Sequence, residues 1–279
     1  MNHLLGCTTR PYASLTFSEA CKHIRAAGYT DVAVFGNADG AHVHANSTPD
    51  QIRIVRDTAA NAALAPSMLM GGTQLQLGLH AAVNEYKRLI DNTAAMGAKW
   101  LLDCGTSNTD HYEDYYELMR RVAPHADQAG VNITRKPHGG NTLNARDLMD
   151  ACHQVKHRAF GICYDPGNII YYSKGEHRPE TDLDSLAPMV TTVIIKDCVI
   201  RGDEPEVMIT PGEGLVDFAQ VIDCLIRGGF LGPFYVECVS GDHIDEINAN
   251  VNATYKFLRR ILSHLPSDQG PDAGGRRRA

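Results

Sequence analysis

The sequence has no uncharged apolar run of the roughly 18 residues that a membrane-spanning helix needs, so no membrane span is expected. It also lacks cysteine pairs at metal or redox spacing: none of its 8 cysteines form a C-x-x-C motif. Positive charge is not in excess. The 26 Lys and Arg against 33 Asp and Glu leave a net charge of −7, which argues against a general nucleic-acid or acidic-membrane binder. No phosphate-binding P-loop, dinucleotide fingerprint, kinase motif set or nucleophile elbow is present. The first residues, Met1-Asn2-His3-Leu4-Leu5, have neither the basic stretch nor the apolar stretch of a secretion signal. A cytoplasmic setting with reduced thiols is therefore expected.

What the chain does have is alternation. Its 279 residues are 43% hydrophobic and 21% charged, as in a globular protein. Short β-branched or apolar runs begin near Leu4, Asp31, Leu64, Lys99, Val131, Ala159, Thr191 and Pro233. A stretch with helical periodicity follows each of them. Thr16-x-x-Glu19 and Thr48-Pro49-Asp50-Gln51 are capping boxes that open the first two helices. Helices are predicted over 81–96, 112–129, 145–155, 217–227 and 244–263, with a shorter one near 183–189. Strand–helix units repeated over residues 1–265 predict an α/β fold, a single closed (β/α)8 barrel. The Gly-, Pro- and Arg-rich residues 266–279 read as a short disordered tail.

The longest predicted loops, around 36–47, 166–181 and 198–215, all follow strands. They lie at the strand C-terminal ends, where barrels of this kind carry their chemistry. Strand alternation assigns side chains to the two faces. It turns Lys136 and His138 of the fifth strand inward, with Asp165 after the sixth and Glu237 after the eighth; the seventh is ambiguous, since Lys196 and Asp197 sit side by side, and parity with Thr192 and Ile194 gives Lys196 to the interior. In the fourth strand it puts Trp100 and Leu102 outside and Asp103 inside. The result is a ring of ionisable groups at one mouth. Such groups are costly there unless they are paired or bind a metal.

Two chemistries suit the ring. A divalent ion held by carboxylates and a histidine, Mn²⁺ or Mg²⁺ and not a soft metal, would polarise a carbonyl or hydroxyl pair while a neighbouring base removes a carbon-bound proton. Alternatively, Lys136 and Lys196 supply the positive charge that steadies an enolate. Weaker candidates are Asp103, Asn168, Glu213 and Arg10 as substrate contacts. His42-x-His44 reads first as a solvated loop pair, Gly139-Gly140-Asn141 as a sharp strand exit, and Gly212-Glu213-Gly214 as a turn that could approach a ligand through its backbone.

Several stretches resemble the xylose-isomerase-like barrels, the sugar phosphate isomerase/epimerase proteins whose fold is shared by endonuclease IV-type AP endonucleases. They are Ala26-Ala27-Gly28-Tyr29, Lys136-Pro137-His138-Gly139-Gly140, Asp165-Pro166-Gly167-Asn168, Ile194-Ile195-Lys196-Asp197, Pro211-Gly212-Glu213-Gly214 with Asp217, and Val236-Glu237. The resemblance runs from Leu4 to about His264 and implies one metal held by a Glu, an Asp, a His and a Glu from the last four strands. Here the matching positions carry Lys136, Asp165, Ile194 and Glu237, so two of those ligands are missing. The Lys-Pro-His-Gly-Gly stretch is similar to the catalytic α subunits of C-glycoside deglycosidases. That likeness implies a lyase on 3-oxo-glycosides, with Mn²⁺ and a small β subunit as partner.

The lead expectation is proton removal beside the carbonyl of an oxidised sugar, followed by β-elimination of the aglycone. In it, His138, Lys136, Lys196 and Glu237 are the catalytic groups, and His138, Asp165 and Glu237 are the expected ligands of the divalent ion, Mn²⁺ before Mg²⁺. The alternatives are a metal-dependent ketose epimerase or aldose–ketose isomerase, and a non-catalytic sugar-binding barrel. An AP endonuclease is disfavoured by the charge. A homo-oligomer is the other expected assembly.

Overall fold

The computed structural model describes residues 3–40, 43–181 and 183–265. Position 42 of the His pair and the expected tail at 266–279 lie outside the described residues. Eight parallel strands close on themselves in the order β1-β10-β7-β6-β5-β4-β3-β2. The strands are β1 (Leu5–Thr8), β2 (Asp31–Val34), β3 (Ala65–Met70), β4 (Trp100–Asp103), β5 (Asn132–Arg135), β6 (Phe160–Tyr164), β7 (Val190–Ile195) and β10 (Phe234–Val236). An antiparallel hairpin, β8 (Val199–Arg201) with β9 (Glu204–Glu206), sits in the long loop after β7. A closed parallel barrel leaves no unpaired strand edge, so every strand is covered by helices on its outer face.

The helices form where capping and periodicity placed them. They are α1 (Phe17–Ala26), α2 (Pro49–Asn61), α3 (Leu79–Met96), α4 (Tyr112–Ala129), α5 (Ala145–Val155), α6 (Pro166–Tyr172), α7 (Leu183–Leu186), α8 (Phe218–Arg227) and α9 (Ile244–His264). Both expected capping boxes are present, Thr16 with Glu19 and Thr48 with Gln51. Asn144 with Asp147 forms a third at α5. Each such cap stabilises its helix by about 1 kcal/mol. Helix α6 occupies the stretch read as the start of a loop. Asp165 caps it through the Asn168 N–H, with Pro166 in its first turn.

Two apolar clusters separate inside from outside. The large one joins outward strand residues such as Leu69, Leu101, Ile133, Ile162 and Val236 to the helices. The small one is Ala33, Phe35, Met68, Leu102, Cys163, Ile194 and Tyr235, which come from alternate positions of β2, β3, β4, β6, β7 and β10 and fill the barrel. Leu102 therefore points inward and Asp103 outward, the reverse of the expected assignment. Parity failed at β4 because an apolar residue fits either face of this strand. Asp103 is at home among the helices because it has partners there. Tyr86 of α3 and Tyr115 of α4 donate their hydroxyls to its carboxylate at 3.1 and 2.7 Å, and the Gly105 N–H donates at 2.8 Å.

Candidate active site

At the C-terminal mouth four strand ends bring four charges together. Lys136 follows β5 directly, and its N–H donates to the Asp103 carbonyl at 2.9 Å, which prolongs the strand pairing. Asp165 follows β6, Lys196 follows β7 and Glu237 follows β10. Inward parity carries all four side chains to the same place. The Lys136 Nζ lies 3.0 Å from Asp165 Oδ2 and 2.5 Å from Glu237 Oε2. Lys196 Nζ lies 3.3 Å from the same Asp165 oxygen and 2.5 Å from Glu237 Oε1. Each ammonium thus touches both carboxylates, and Glu237 offers one oxygen to each lysine. Exposure is only 0–6% across the quartet.

Supporting residues fix these positions. Asn168 accepts from Lys196 Nζ at 3.1 Å and donates to the Pro137 carbonyl at 2.8 Å, so it ties β7 to the loop after β5. Asn168, a substrate-contact candidate in the sequence, is here the residue that positions Lys196. Gly167 is required by close approach: a Cβ there would lie 2.6 Å from the Lys196 carbonyl oxygen. Asp197, beside Lys196 and fully buried, takes the backbone N–H groups of Cys198, Gly212, Gly214 and Val216. That clasp shapes the loop carrying the Gly-Glu-Gly motif, a role invisible without the fold.

Burial raises the cost of every charge in the quartet, and the partners reverse it. Burial pulls the Lys136 ammonium down, but Glu237 and Asp165 hold it well above the usual lysine range. Burial likewise pushes Glu237 up, yet Lys136 and Lys196 bring it down to about 2. Glu237 is therefore a firmly ionised and weakly basic carboxylate at neutral pH, which suits holding charge better than taking a proton. An ammonium has three N–H donors. Those of Lys196 are matched by Asn168, Asp165 and Glu237. Lys136 meets the two carboxylates, which leaves one of its donor directions for a ligand.

His138 is exposed at the rim, beside the turn from Gly139 to Thr142. Gly140 has φ +59°, and a Cβ on it would meet the Thr106 carbonyl at 2.4 Å, so glycine is needed for this exit. The His138 Nε2 and Tyr172 hydroxyl are 2.9 Å apart, with their rings in contact. Burial lowers the His138 pKa, and Lys136 and Lys196 lower it further, so the imidazole is neutral at pH 7. Burial pushes the Tyr172 phenol up to about 12. Sequence reading missed Tyr172; the signal was its place one turn after Asn168 on a helix taken for a loop. It also missed Cys104, which inherits the inward parity of Leu102. The charges of Lys136, Glu237 and Lys196 act on its thiol, which burial raises to about 11.

Other expected contacts lie elsewhere. Asp103 is outside the barrel, as described above. Arg10 and Glu213 are exposed, on the 3-10 turn after β1 and the loop after β9, with no ion pair among the described residues. The expected metal site is not formed. His138 faces Tyr172, and the two carboxylates already share two ammonium groups. Among the described residues no three His, Cys, Asp or Glu side chains are grouped to hold an ion. A divalent cation at Asp165 and Glu237 would have to displace lysines held at 2.5–3.3 Å and would be repelled by them. The residues present do not fit Mn²⁺ or Mg²⁺.

Residues 21–261 match the family model described as xylose isomerase-like TIM barrel, and the chain belongs to that family. No curated protein matches it. Its fold is shared by solved structures of low sequence identity. One is D-psicose 3-epimerase with D-tagatose from Clostridium cellulolyticum H10, at TM-score 0.75, 13% identity, and 93% and 99% coverage of this chain and that one. A xylose isomerase-like TIM barrel protein from Mycobacterium smegmatis, solved in complex with magnesium, gives TM-score 0.73, 15% identity, and 93% and 97% coverage. A xylose isomerase-like TIM barrel/4-hydroxyphenylpyruvate dioxygenase fusion protein gives TM-score 0.76 and 17% identity over 97% of this chain, which spans 46% of the fusion. Among the described residues no helix is long and apolar enough to cross a membrane.

Proposed function

We propose that this barrel is an enzyme that removes a proton beside the carbonyl of an oxidised sugar and steadies the resulting enolate with ammonium groups instead of a metal ion. The observation that carries this reading is the quartet: two lysines, each touching both Asp165 and Glu237, buried at the face where barrels do chemistry. Buried ion pairs seldom stabilise a fold more than apolar packing would. Four of them at the floor of a mouth are better explained by a reaction that develops negative charge.

His138 is the base. It is neutral at pH 7, sits at the rim, and is near enough to feel the lysines. The proton goes from carbon to its imidazole, and the electron pair moves to the carbonyl oxygen. The remaining Lys136 N–H direction meets that oxygen. The pair then returns to expel a leaving group on the next carbon, which is β-elimination. Asp165 and Glu237 hold the ammonium groups in place, and Asn168 aligns Lys196.

A second reading is a ketose epimerase or aldose–ketose isomerase, supported by the barrel's likeness to D-psicose 3-epimerase. Epimerisation takes a proton from one face and returns one to the other, which calls for two groups able to exchange protons. Here one of the expected carboxylates is Lys136 and the other, Glu237, is clamped. The geometry therefore favours elimination. Incubating the protein with a 3-oxo-glycoside and with D-psicose in D₂O separates the two. Release of the aglycone supports the lyase, and deuterated epimer without elimination supports the alternative. Neither product, with tight sugar binding, leaves a non-catalytic sugar-binding barrel. A partner subunit or a second copy completing the mouth would show as activity that depends on its addition or on protein concentration.

A further inference from the structure

Helix α6 holds the loop after β5 at two successive residues. Asn168 donates to the Pro137 carbonyl at 2.8 Å, and the hydroxyl of Tyr172, one turn further along, lies 2.9 Å from His138 Nε2. Among the described residues His138 is the only hydrogen-bond partner of this hydroxyl. Tyr172 is half-buried, and the charges of Lys136 and Asp165 reach its phenol, so it stands over the same mouth as the quartet. Burial keeps the phenol protonated at neutral pH, where His138 is neutral. The phenol O–H is the stronger acid of the two groups and an imidazole nitrogen the stronger base. The O–H therefore donates and Nε2 accepts. The ring proton of His138 is then on Nδ1. The lone pair that would make His138 a base is thus already taken up by Tyr172.

We propose that Tyr172 carries the proton between the substrate and His138. The phenol oxygen takes the proton from the carbon beside the carbonyl while its own proton passes to His138 Nε2. The C–H electron pair moves to the carbonyl oxygen at Lys136. When that pair returns and expels the leaving group, Tyr172 gives its proton to the departing group and takes one back from the imidazolium. The two side chains end as they began, and no outside acid or base is consumed. The relay also places the transient positive charge on His138, at the exposed rim, where water screens it from the two ammonium groups. The inference rests on the enolate reading for the reaction it serves; the direction of the hydrogen bond is tested without substrate.

The first measurement is long-range proton–nitrogen NMR of the full chain with isotope-labelled histidine at neutral pH, the His138 signals being assigned with His138→Gln. Free histidine favours the Nε2–H form. His138 is expected to carry its proton on Nδ1, and its nitrogen signals are expected to shift in Tyr172→Phe. A wild-type His138 with its proton on Nε2 overturns the proposal. The second is release of 4-nitrophenol from 3-oxo 4-nitrophenyl β-D-glucopyranoside in H₂O and in D₂O. Tyr172→Phe, still folded by circular dichroism, should lower turnover about a hundredfold. The Tyr172 hydroxyl proton exchanges with solvent and moves in the proton-removal step. D₂O should therefore slow the wild type and leave the residual Tyr172→Phe reaction unchanged. Tyr172→Phe as fast as the wild type overturns the relay alone. So does a wild type indifferent to D₂O, which would make Tyr172 a positioning residue for His138. A wild type that releases no 4-nitrophenol removes the enolate reading and the relay together.

Discussion

The two halves of the barrel mouth are built from the same strand geometry and carry opposite contents. On β5, β6, β7 and β10 the last inward positions are Lys136, Asp165, Lys196 and Glu237, paired at 2.5–3.3 Å. On β2, β3 and β4 they are Phe35, Met70 and Cys104. One half concentrates fixed charge in a place shielded from water, and the other offers area without charge. Shielding is what makes the ionic half effective, because an ammonium acts far more strongly on a nearby oxyanion where water is excluded. Met70 of the apolar half also lines a cleft over the ends of β2 and β3, together with Leu77, His44, Gln74 and Glu85.

The largest effect is expected from breaking the ionic half. Glu237→Leu leaves two buried ammonium groups with Asp165 alone, and should cost about 3–5 kcal/mol in urea unfolding. Lys136→Met combined with Glu237→Leu removes one charge of each sign, and should recover most of that loss. A double variant no more stable than Glu237→Leu would mean that the quartet is not an interacting unit. Acid sharpens the same point. Glu237 is lowered from 4.5 to about 2 in the fold, so its contribution is present above 4.5 and is lost as pH falls toward 2. The acid limb of a pH–stability curve should therefore flatten in the double variant.

Catalysis should respond next. Lys136→Met is expected to lower turnover about 10²- to 10³-fold in protein that is still folded by circular dichroism. His138→Gln should lower it about a hundredfold. For the wild type, the folded His138 pKa lies below 6.5, so activity should hold at pH 7 and fall as acid protonates the ring, with a midpoint below 6.5. The limb should be missing from the residual activity of His138→Gln; an unchanged limb would assign the base elsewhere. The smallest effect belongs to the apolar half. Met70→Ala, at an exposed site, should cost about 1 kcal/mol or less in stability.

The fold was legible because its signals are local. The helices at 112–129 and 145–155 appear with the expected bounds, and both expected capping boxes are made. Inward parity was readable at β5, β6 and β10; at β7, where Lys196 and Asp197 sit side by side, only parity with Thr192 and Ile194 gave Lys196 to the interior. It failed at β4, because Leu102 suits a barrel interior as well as a helix layer. The finer site was less legible. Nothing in the Lys-Pro-His-Gly-Gly run says that the lysine would reach across to Glu237, 101 residues away, while the histidine turns to Tyr172. Partners so distant in sequence are fixed only when the barrel closes. For the same reason a metal set of His138, Asp165 and Glu237 looked available, and the lysines that share its two carboxylates were assigned to a separate task.

The most direct test of the central claim, that ammonium groups stand in the place of a metal, is elemental analysis of tag-free protein purified from Mn²⁺-supplemented cells. It would be run on the wild type and on Lys136→Glu. The wild type should carry no stoichiometric divalent ion. Lys136→Glu, which adds a third carboxylate beside Asp165 and Glu237, should gain one that dialysis does not remove. A wild type holding about one Mn²⁺ or Mg²⁺ per chain, lost on Asp165→Ala, would contradict the claim and return the chain to metal-assisted chemistry.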